Sequence, residues 1–303
     1  MTLPEFVSAG EALTDLIAEP GQQRWASQVG GSTWNVARTM AALDVPTAFA
    51  GAISRDVFGQ QLYAASQAAQ LDLRFLQQLD KSPLLAIVHE IDPPTYFFVG
   101  DDSADLHFDA GKLPQGWQAA CRWAHFGGIS LARQPLAARL VDLAAQLKAA
   151  GVRISYDPNF RLLMDERYDA TLRRMTELAD VVKVSEEDLA GLFRTDDVEG
   201  AFVRLLSTNP HAAYLFTKGA AGASLHIGDE TWNVAAPSIE VVDTVGAGDA
   251  SIAALAYSMM KRPERSPLAH LQFSVCAGAA ACLGAGASPP SVELIESLMR
   301  KLG

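Results

Sequence analysis

Two periods organise the apolar positions of this chain. Residues 5–9 form a short apolar run closed by Gly10, which reads as a strand. Residues 15–27 are mixed and extended in character. Val36, Met40 and Leu43 recur at helical spacing and predict a helix over 34–43, stopping before Val45-Pro46. A strand over 48–53 and an amphipathic helix over 58–71 follow. Residues 84–89 and 96–99 are β-rich, and Asp92-Pro93-Pro94 between them predicts a hairpin.

From residue 123 the pattern becomes regular. Strands over 123–126, 152–156, 181–184 and 213–216 alternate with helices over 135–150, 171–179 and 198–206, the first of them closed by Gly151. Gly228-Asp229 predicts a tight turn between strands over 224–227 and 231–234. A strand over 239–242 then precedes three helical stretches, 249–261, 267–283 and 291–302. Such alternation with short connections predicts an α/β fold whose mostly parallel sheet is covered by helices on both faces. Segments 12–33 and 83–108 do not fit the alternation. They are expected to pair into one small sheet, a β lid over a core made of 1–11, 34–82 and 109–303. Open α/β sheets bind ligands beyond the carboxyl ends of their strands, and a lid there excludes water.

Composition narrows the function. Of 303 residues, 49% are hydrophobic and 19% charged, enough for a large core and unlike a disordered chain. The net charge of −11 argues against nucleic acid as a partner, while leaving room for one small anion in a local pocket. The three cysteines, Cys121, Cys276 and Cys282, lie in apolar or small-residue stretches without metal or disulfide spacing, as in a reducing compartment. The first residues lack the pattern of a signal peptide. The longest stretch without strongly polar residues, 275–287, falls short of the roughly 18 apolar residues of a membrane span. A cytoplasmic protein, with no membrane partner, is expected.

Three glycine-bearing segments carry the candidate chemistry. In Asp243-Thr-Val-Gly-Ala-Gly-Asp249, a small-residue loop opens a helix. Gly246, Ala247 and Gly248 bring backbone N–H groups to one spot, where the helix dipole favours an anion, and Asp249 adds a carboxylate. Donors for a developing phosphoryl charge beside a base for a hydroxyl proton suit phosphoryl transfer. An Asp here also caps helices, the simpler alternative. Gly30-Gly31-Ser-Thr-Trp-Asn35 opens a second helix, with Asn35 offering a donor and an acceptor to sugar hydroxyls. Asp157-Pro-Asn-Phe-Arg161 follows a strand, with Arg161 placed to clamp a phosphate or carboxylate.

Together these segments resemble the ribokinase/PfkB family of sugar kinases, over nearly the whole chain. Asp243 to Ala256 matches the family's C-terminal signature, and Gly30-Gly31 with Asn35-Val-Ala matches the N-terminal one. Gly51, Asp56 and Gly59 match the glycine–acid pattern between them. The resemblance implies a ribokinase-like three-layer core with a β-sheet lid, and transfer of the γ-phosphoryl group of ATP, with Mg²⁺, to a sugar hydroxymethyl. It makes Asp249 the base and Gly246, Ala247 and Gly248 the anion hole. Asp15, Gly30, Gly31, Asn35 and Arg161 would bind sugar; Thr217, Gly219 and Gly222 would lie near the nucleotide. Asp243 and the Val245 carbonyl, with the 284–288 loop, match a monovalent-cation site suited to K⁺, and Asp188 would hold Mg²⁺ through water.

Within the family the chain is most similar to fructokinases, through 157–161, 183–188 and Ser103-Ala104-Asp105. D-fructose, giving fructose 6-phosphate, is the first expected substrate, with 2-keto-3-deoxygluconate, ribose and nucleosides behind it. Ser185 and Asp188 depart from the usual Asn-x-x-Glu, and Trp34 either narrows the sugar pocket or belongs to the core. These departures keep open a sugar- or nucleotide-binding regulator without turnover. A homodimer paired through the lid is expected, because exposed sheet edges invite pairing. A dinucleotide-dependent oxidoreductase is excluded, since Gly10-Glu-Ala follows the first strand where Gly-x-Gly-x-x-Gly is needed.

Overall fold

Phe6–Ala9 (β1) is buried along its length, inside the large sheet. The computed structural model describes residues 2–19, 21, 23–91 and 94–302. After β1 come Leu13–Ala18 (β2), Trp25–Gly30 (β3), Ser32–Ala42 (α1), Thr47–Ser54 (β4), Val57–Ala68 (α2), Leu76–Leu79 (β5), Leu85–Ile91 (β6) and Pro94–Val99 (β7). Trp117–Ala120 (α3), Trp123–Gly127 (β8), Leu136–Ala149 (α4), Arg153–Asp157 (β9), Asp169–Leu178 (α5), Val181–Ser185 (β10), Glu186–Phe193 (α6) and Val198–Thr208 (α7) follow. Ala213–Thr217 (β11), Ala223–Ile227 (β12), Glu230–Val234 (β13), Ala247–Lys261 (α8), Pro267–Ala281 (α9) and Val292–Met299 (α10) complete the order.

The large sheet runs β13-β12-β11-β10-β9-β8-β1-β4-β5. It is parallel from β5 to β11, and β12 and β13 add an antiparallel edge. Chain order reverses at β1, whose neighbours are β4 and β8, so a crevice opens beyond its carboxyl end. Successive side chains point to opposite faces of the sheet. Val7, Ala124 and Val182 join the core cluster that holds Leu140, Met175 and Leu205; Phe6, Trp123 and Val181 join the one that holds Ile252, Phe273 and Ile295. The sheet therefore lies between α4–α7 and the layer of α1 and α8–α10.

The second sheet runs β3-β2-β6-β7. Its halves are joined by parallel pairing of β2 with β6, Thr14 opposite Leu85, so the two segments that break the alternation do meet. β6 and β7 pair antiparallel, as the hairpin expectation requires; Asp92 and Pro93 of that turn lie outside the described residues.

One expectation is corrected, and the open alternative at Trp34 is decided. Residues 239–242 form no strand: Val241 and Val242 are exposed, and the backbone is tied instead by the Val242 N–H to the Cys282 carbonyl at 2.9 Å. A β-branched run makes a strand only when a neighbour takes its ladder, and the sheet already ends at β13. Trp34 belongs to the core: it is fully buried, its Nε1 donates to Ser66 Oγ at 2.9 Å, and Arg38 lies over its ring. Asp105, in the Ser103-Ala104-Asp105 segment, is buried and paired with Arg133, which also donates to the Gly100 carbonyl.

Candidate active site

The start of α8 is built to hold charge. Gly246 caps it at φ +80°, and a Cβ there would come within 2.8 Å of Ala287 Cβ, so the position needs glycine. No side chain caps the helix. The Ala247 N–H turns back to the Thr244 carbonyl at 3.2 Å, whereas the N–H groups of Gly246 and Gly248 have no protein acceptor among the described residues. The predicted anion hole thus retains two of its three donors.

Asp249, in the first turn, is buried and held from α1. Ser32 Oγ donates to its Oδ1 at 2.7 Å and Asn35 Nδ2 to its Oδ2 at 2.9 Å. Two glycine motifs more than 200 residues apart therefore share one carboxylate. Burial pushes the Asp249 pKa up, against the two hydrogen bonds and the charges of Lys183 and Arg161. Asn35 Oδ1 is buried and without a partner, so this amide keeps an acceptor for an incoming hydroxyl.

Asp15 lies on β2, in the four-stranded sheet. Its carboxylate lies against Gly30 on the paired strand, where a Cβ would fall 2.6 Å from Oδ2. No hydrogen bond to it forms among the described residues. Burial raises its pKa to about 6, opposed by the Arg161 charge. Gly31, at φ +115°, would place a Cβ 2.7 Å from the Glu11 carbonyl, so the turn into α1 also needs glycine. Arg161 Nη1 donates to the Asn159 and Phe160 carbonyls and to Asn159 Oδ1, at 2.7–3.2 Å. Its charge acts on both Asp15 and Asp249, lowering the pKa of each against the effect of burial.

Behind the loop lies a buried ionic cluster. Lys183 Nζ is 3.1 Å from Asp157 Oδ2 and 3.5 Å from Asp188 Oδ2. Asp157 is pushed up to about 7 by burial, with the Lys183 charge opposing. Asp188 closes a capping box with Ser185 at the start of α6 and also accepts the Phe160 N–H at 2.7 Å. These contacts, with Lys183, turn both its oxygens toward the protein. His125, facing the same cluster, stays neutral with a pKa near 3 through burial and the Lys183 charge.

The remaining predicted residues sit at neighbouring strand ends. Thr217 ends β11 beside Ser185, its hydroxyl 3.4 Å from the Val184 carbonyl. Gly219 and Gly222 shape the turn after it, both at positive φ. Asp243 accepts the Val245 N–H at 3.0 Å and the Gly286 N–H at 2.8 Å, joining the α8 loop to the 284–288 loop. A cavity of about 740 Å³ opens at the amino ends of β8 and β9, among Arg122, Trp123, Arg153 and Met259, and holds none of these residues.

A family model for pfkB family carbohydrate kinases matches residues 4–294. The chain belongs to that family. It is 31% identical over 252 residues to the fructokinase of Klebsiella pneumoniae, covering 81% of each chain. Among solved structures, a fructokinase with bound ATP from Xylella fastidiosa superposes with a TM-score of 0.89, at 25% identity over 99% of each chain. A fructokinase from Vibrio cholerae O395 in a form with bound fructose, ADP and calcium gives 0.86, at 27% identity over 98% of this chain and 99% of that one.

Sequence reasoning proposed site positions and passed over the side chains that hold them. Ser32 and Asp157 enter that reading only as members of the Gly30–Asn35 and Asp157–Arg161 segments. Lys183, set in the apolar strand Val181-Val-Lys-Val, carried the one available signal: a lysine where period-2 burial calls for an apolar side chain.

Proposed function

We propose that this kinase transfers the γ-phosphoryl group of ATP to the hydroxymethyl group of D-fructose. The observation that carries the reading is Asp249, fixed by Ser32 and Asn35 beside the free N–H groups of Gly246 and Gly248. The similarity to fructokinases supports fructose as the acceptor.

In this reading the sugar lies between the lid and the strand ends. Asp15 and Asn35 Oδ1 accept its hydroxyl hydrogens, and Gly30 and Gly31 let it approach the backbone. Asp249 takes the proton of the attacking hydroxyl, with its carboxylate stabilised by two hydrogen bonds and two nearby cations. The Gly246 and Gly248 N–H groups meet the charge spreading over the transferred group, where one such donor is typically worth about 2.7–4 kcal/mol. Arg161 adds positive charge between sugar and phosphate, and the Thr217–Gly222 turn accepts the nucleotide. Lid closure keeps water away from the phosphoryl group.

No cluster of three His, Cys, Asp or Glu side chains forms a metal cage among the described residues. That suits Mg²⁺, which keeps several waters and enters largely on substrate phosphates, neutralising their charge when bound. Asp188, already committed to Ser185, Phe160 and Lys183, serves to hold the strand ends together. Asp243, the Val245 carbonyl and the 284–288 loop would hold a potassium ion beside the anion hole. Trp25, Phe97 and Val99, exposed on the lid, support pairing with a second copy. Among the described residues no helix is long and apolar enough to cross a membrane, and the cytoplasm is the location proposed.

The test is coupled ADP release with ATP and Mg²⁺ against fructose, 2-keto-3-deoxygluconate, ribose, glucose and adenosine. Turnover with fructose supports the whole reading. Turnover with another acceptor keeps the kinase and changes its substrate. ATP and sugar binding without ADP release overturns the reading in favour of a regulator.

A further inference from the structure

The alternation that builds the large sheet also aims its buried charges. On β10, Val181 faces the α8 layer, so Lys183, two residues on, faces it too. A Cβ at Gly248 would fall 3.1 Å from Lys183 Nζ and 3.4 Å from its Cε. The ammonium thus lies directly beneath the anion-hole loop. It is 5% exposed, and Asp157, Asp188 and Asp249 all act on it. Asp157 Oδ1 also accepts the Asn159 N–H at 3.0 Å, so the same cluster orders the loop that carries Arg161.

A lone buried ammonium facing three carboxylates is an expensive arrangement, because taking ions out of water is offset only by good pairing. Apolar side chains would fill this place at lower cost. We infer that Lys183 is a positioning residue for phosphoryl transfer: its charge, fixed beneath Gly248, raises the positive potential at the anion hole and holds Asp157 and Asp188, and with them the Arg161 loop and α6, in register with Asp249. The inference rests on the sugar-kinase reading and adds a group that reading does not use. Lys183 touches no substrate. It acts through Gly248 and Asp249, in a water-poor site where a fixed charge has more effect than at a surface.

The groups around Asp249 come from several elements. They are Ser32 and Asn35 on α1, Asp157 on β9, Arg161 after it and Lys183 on β10, with Asp188 on α6 paired to Lys183 and Asp15 on β2 within reach of the Arg161 charge. Lys183 is the more deeply buried of the two cations in this set, so its removal leaves Arg161 as the remaining cation of the set.

The experiment compares wild type, Lys183→Met and the charge-balanced double variant Lys183→Met/Asp157→Asn. The single variant leaves two carboxylates unpaired and its folding suffers; the double variant removes one charge of each sign. Wild-type turnover on the sugar panel is measured first, so that absence of any kinase activity counts against the proposed function rather than against Lys183. Calorimetry then gives the affinity for ADP, for sugar, and for ADP with aluminium fluoride in the presence of sugar, a mimic of the transferring phosphoryl group. In the double variant kcat is expected to fall by about 100-fold. Binding of the fluoride mimic should weaken similarly, while ADP and sugar affinities stay within about threefold. Wild-type kcat in that variant would overturn the inference. So would a parallel loss of all three affinities, which marks a purely structural role.

Discussion

The large sheet and the lid solve opposite problems with the same kind of strand. All eight residues of β4 are buried, and alternate side chains of β1, β8 and β10 feed two separate cores. In β3 only Gly30 is buried, and the lid shows Trp25, Phe97 and Val99 to solvent. The chemistry divides along the same line. Asp157, Lys183, Asp188 and Asp249 are enclosed in the core and pinned by hydrogen bonds or ion pairs. Asp15, the lid's contribution, has no hydrogen-bond partner among the described residues. Under the proposed function, the groups assigned to phosphoryl transfer are those that packing fixes, and the one assigned to the incoming sugar lies in the small sheet without a hydrogen-bond partner among the described residues.

The comparison breaks most visibly at Trp34, which joins α1 to α2 through Ser66 and carries Arg38 on its ring. Trp34→Ala should cost about 3–5 kcal/mol of stability, read by urea unfolding, because a fully buried indole leaves a large cavity. A smaller effect is expected at Asp15. Asp15→Asn should raise the sugar KM by about 10- to 100-fold, the value of hydrogen bonds to a charged acceptor, with melting unchanged. The raised pKa sets a direction as well. Above about 6 Asp15 is ionised; below it the carboxyl takes a proton and loses acceptor capacity, so the wild-type sugar KM should climb as pH falls through about 6. The Asn variant should lack that rise, and a rise of equal size in it would assign the ionisation elsewhere. The smallest effect belongs to the lid surface. Trp25→Ser should change stability by no more than about 0.5 kcal/mol. Light scattering on the same variant tests pairing: a dimeric wild type that becomes monomeric places the lid in the interface.

Most of this division could be read before any coordinates. Core strands buried on both faces are continuous apolar runs, and the loops after them carry the glycine and acidic motifs. Elements whose stability comes from context were harder. Leu76–Leu79, with two glutamines, is a strand only because β4 offers its edge. The helix after β10 was announced by Ser185 and Asp188, a capping box hidden inside a motif read for its chemistry. Residues 239–242 showed the reverse case, a β-branched run with no edge to join. The site divided the same way. The residues proposed to face ligand stood out through glycine and signature spacing, whereas Ser32, Asp157 and Lys183 lie behind them, and only the third dimension brings them close to Asp249.

The central claim is that Asp249, held by α1 beside the anion hole, carries the transfer while the sugar is bound by others. Steady-state kinetics of Asp249→Asn against wild type, with fructose, ATP and Mg²⁺, tests it most directly. The account predicts kcat lower by about 10³, within the range of a lost general base, and a fructose KM within about threefold of wild type. Near-wild-type turnover in the variant, or a loss confined to KM, would contradict it.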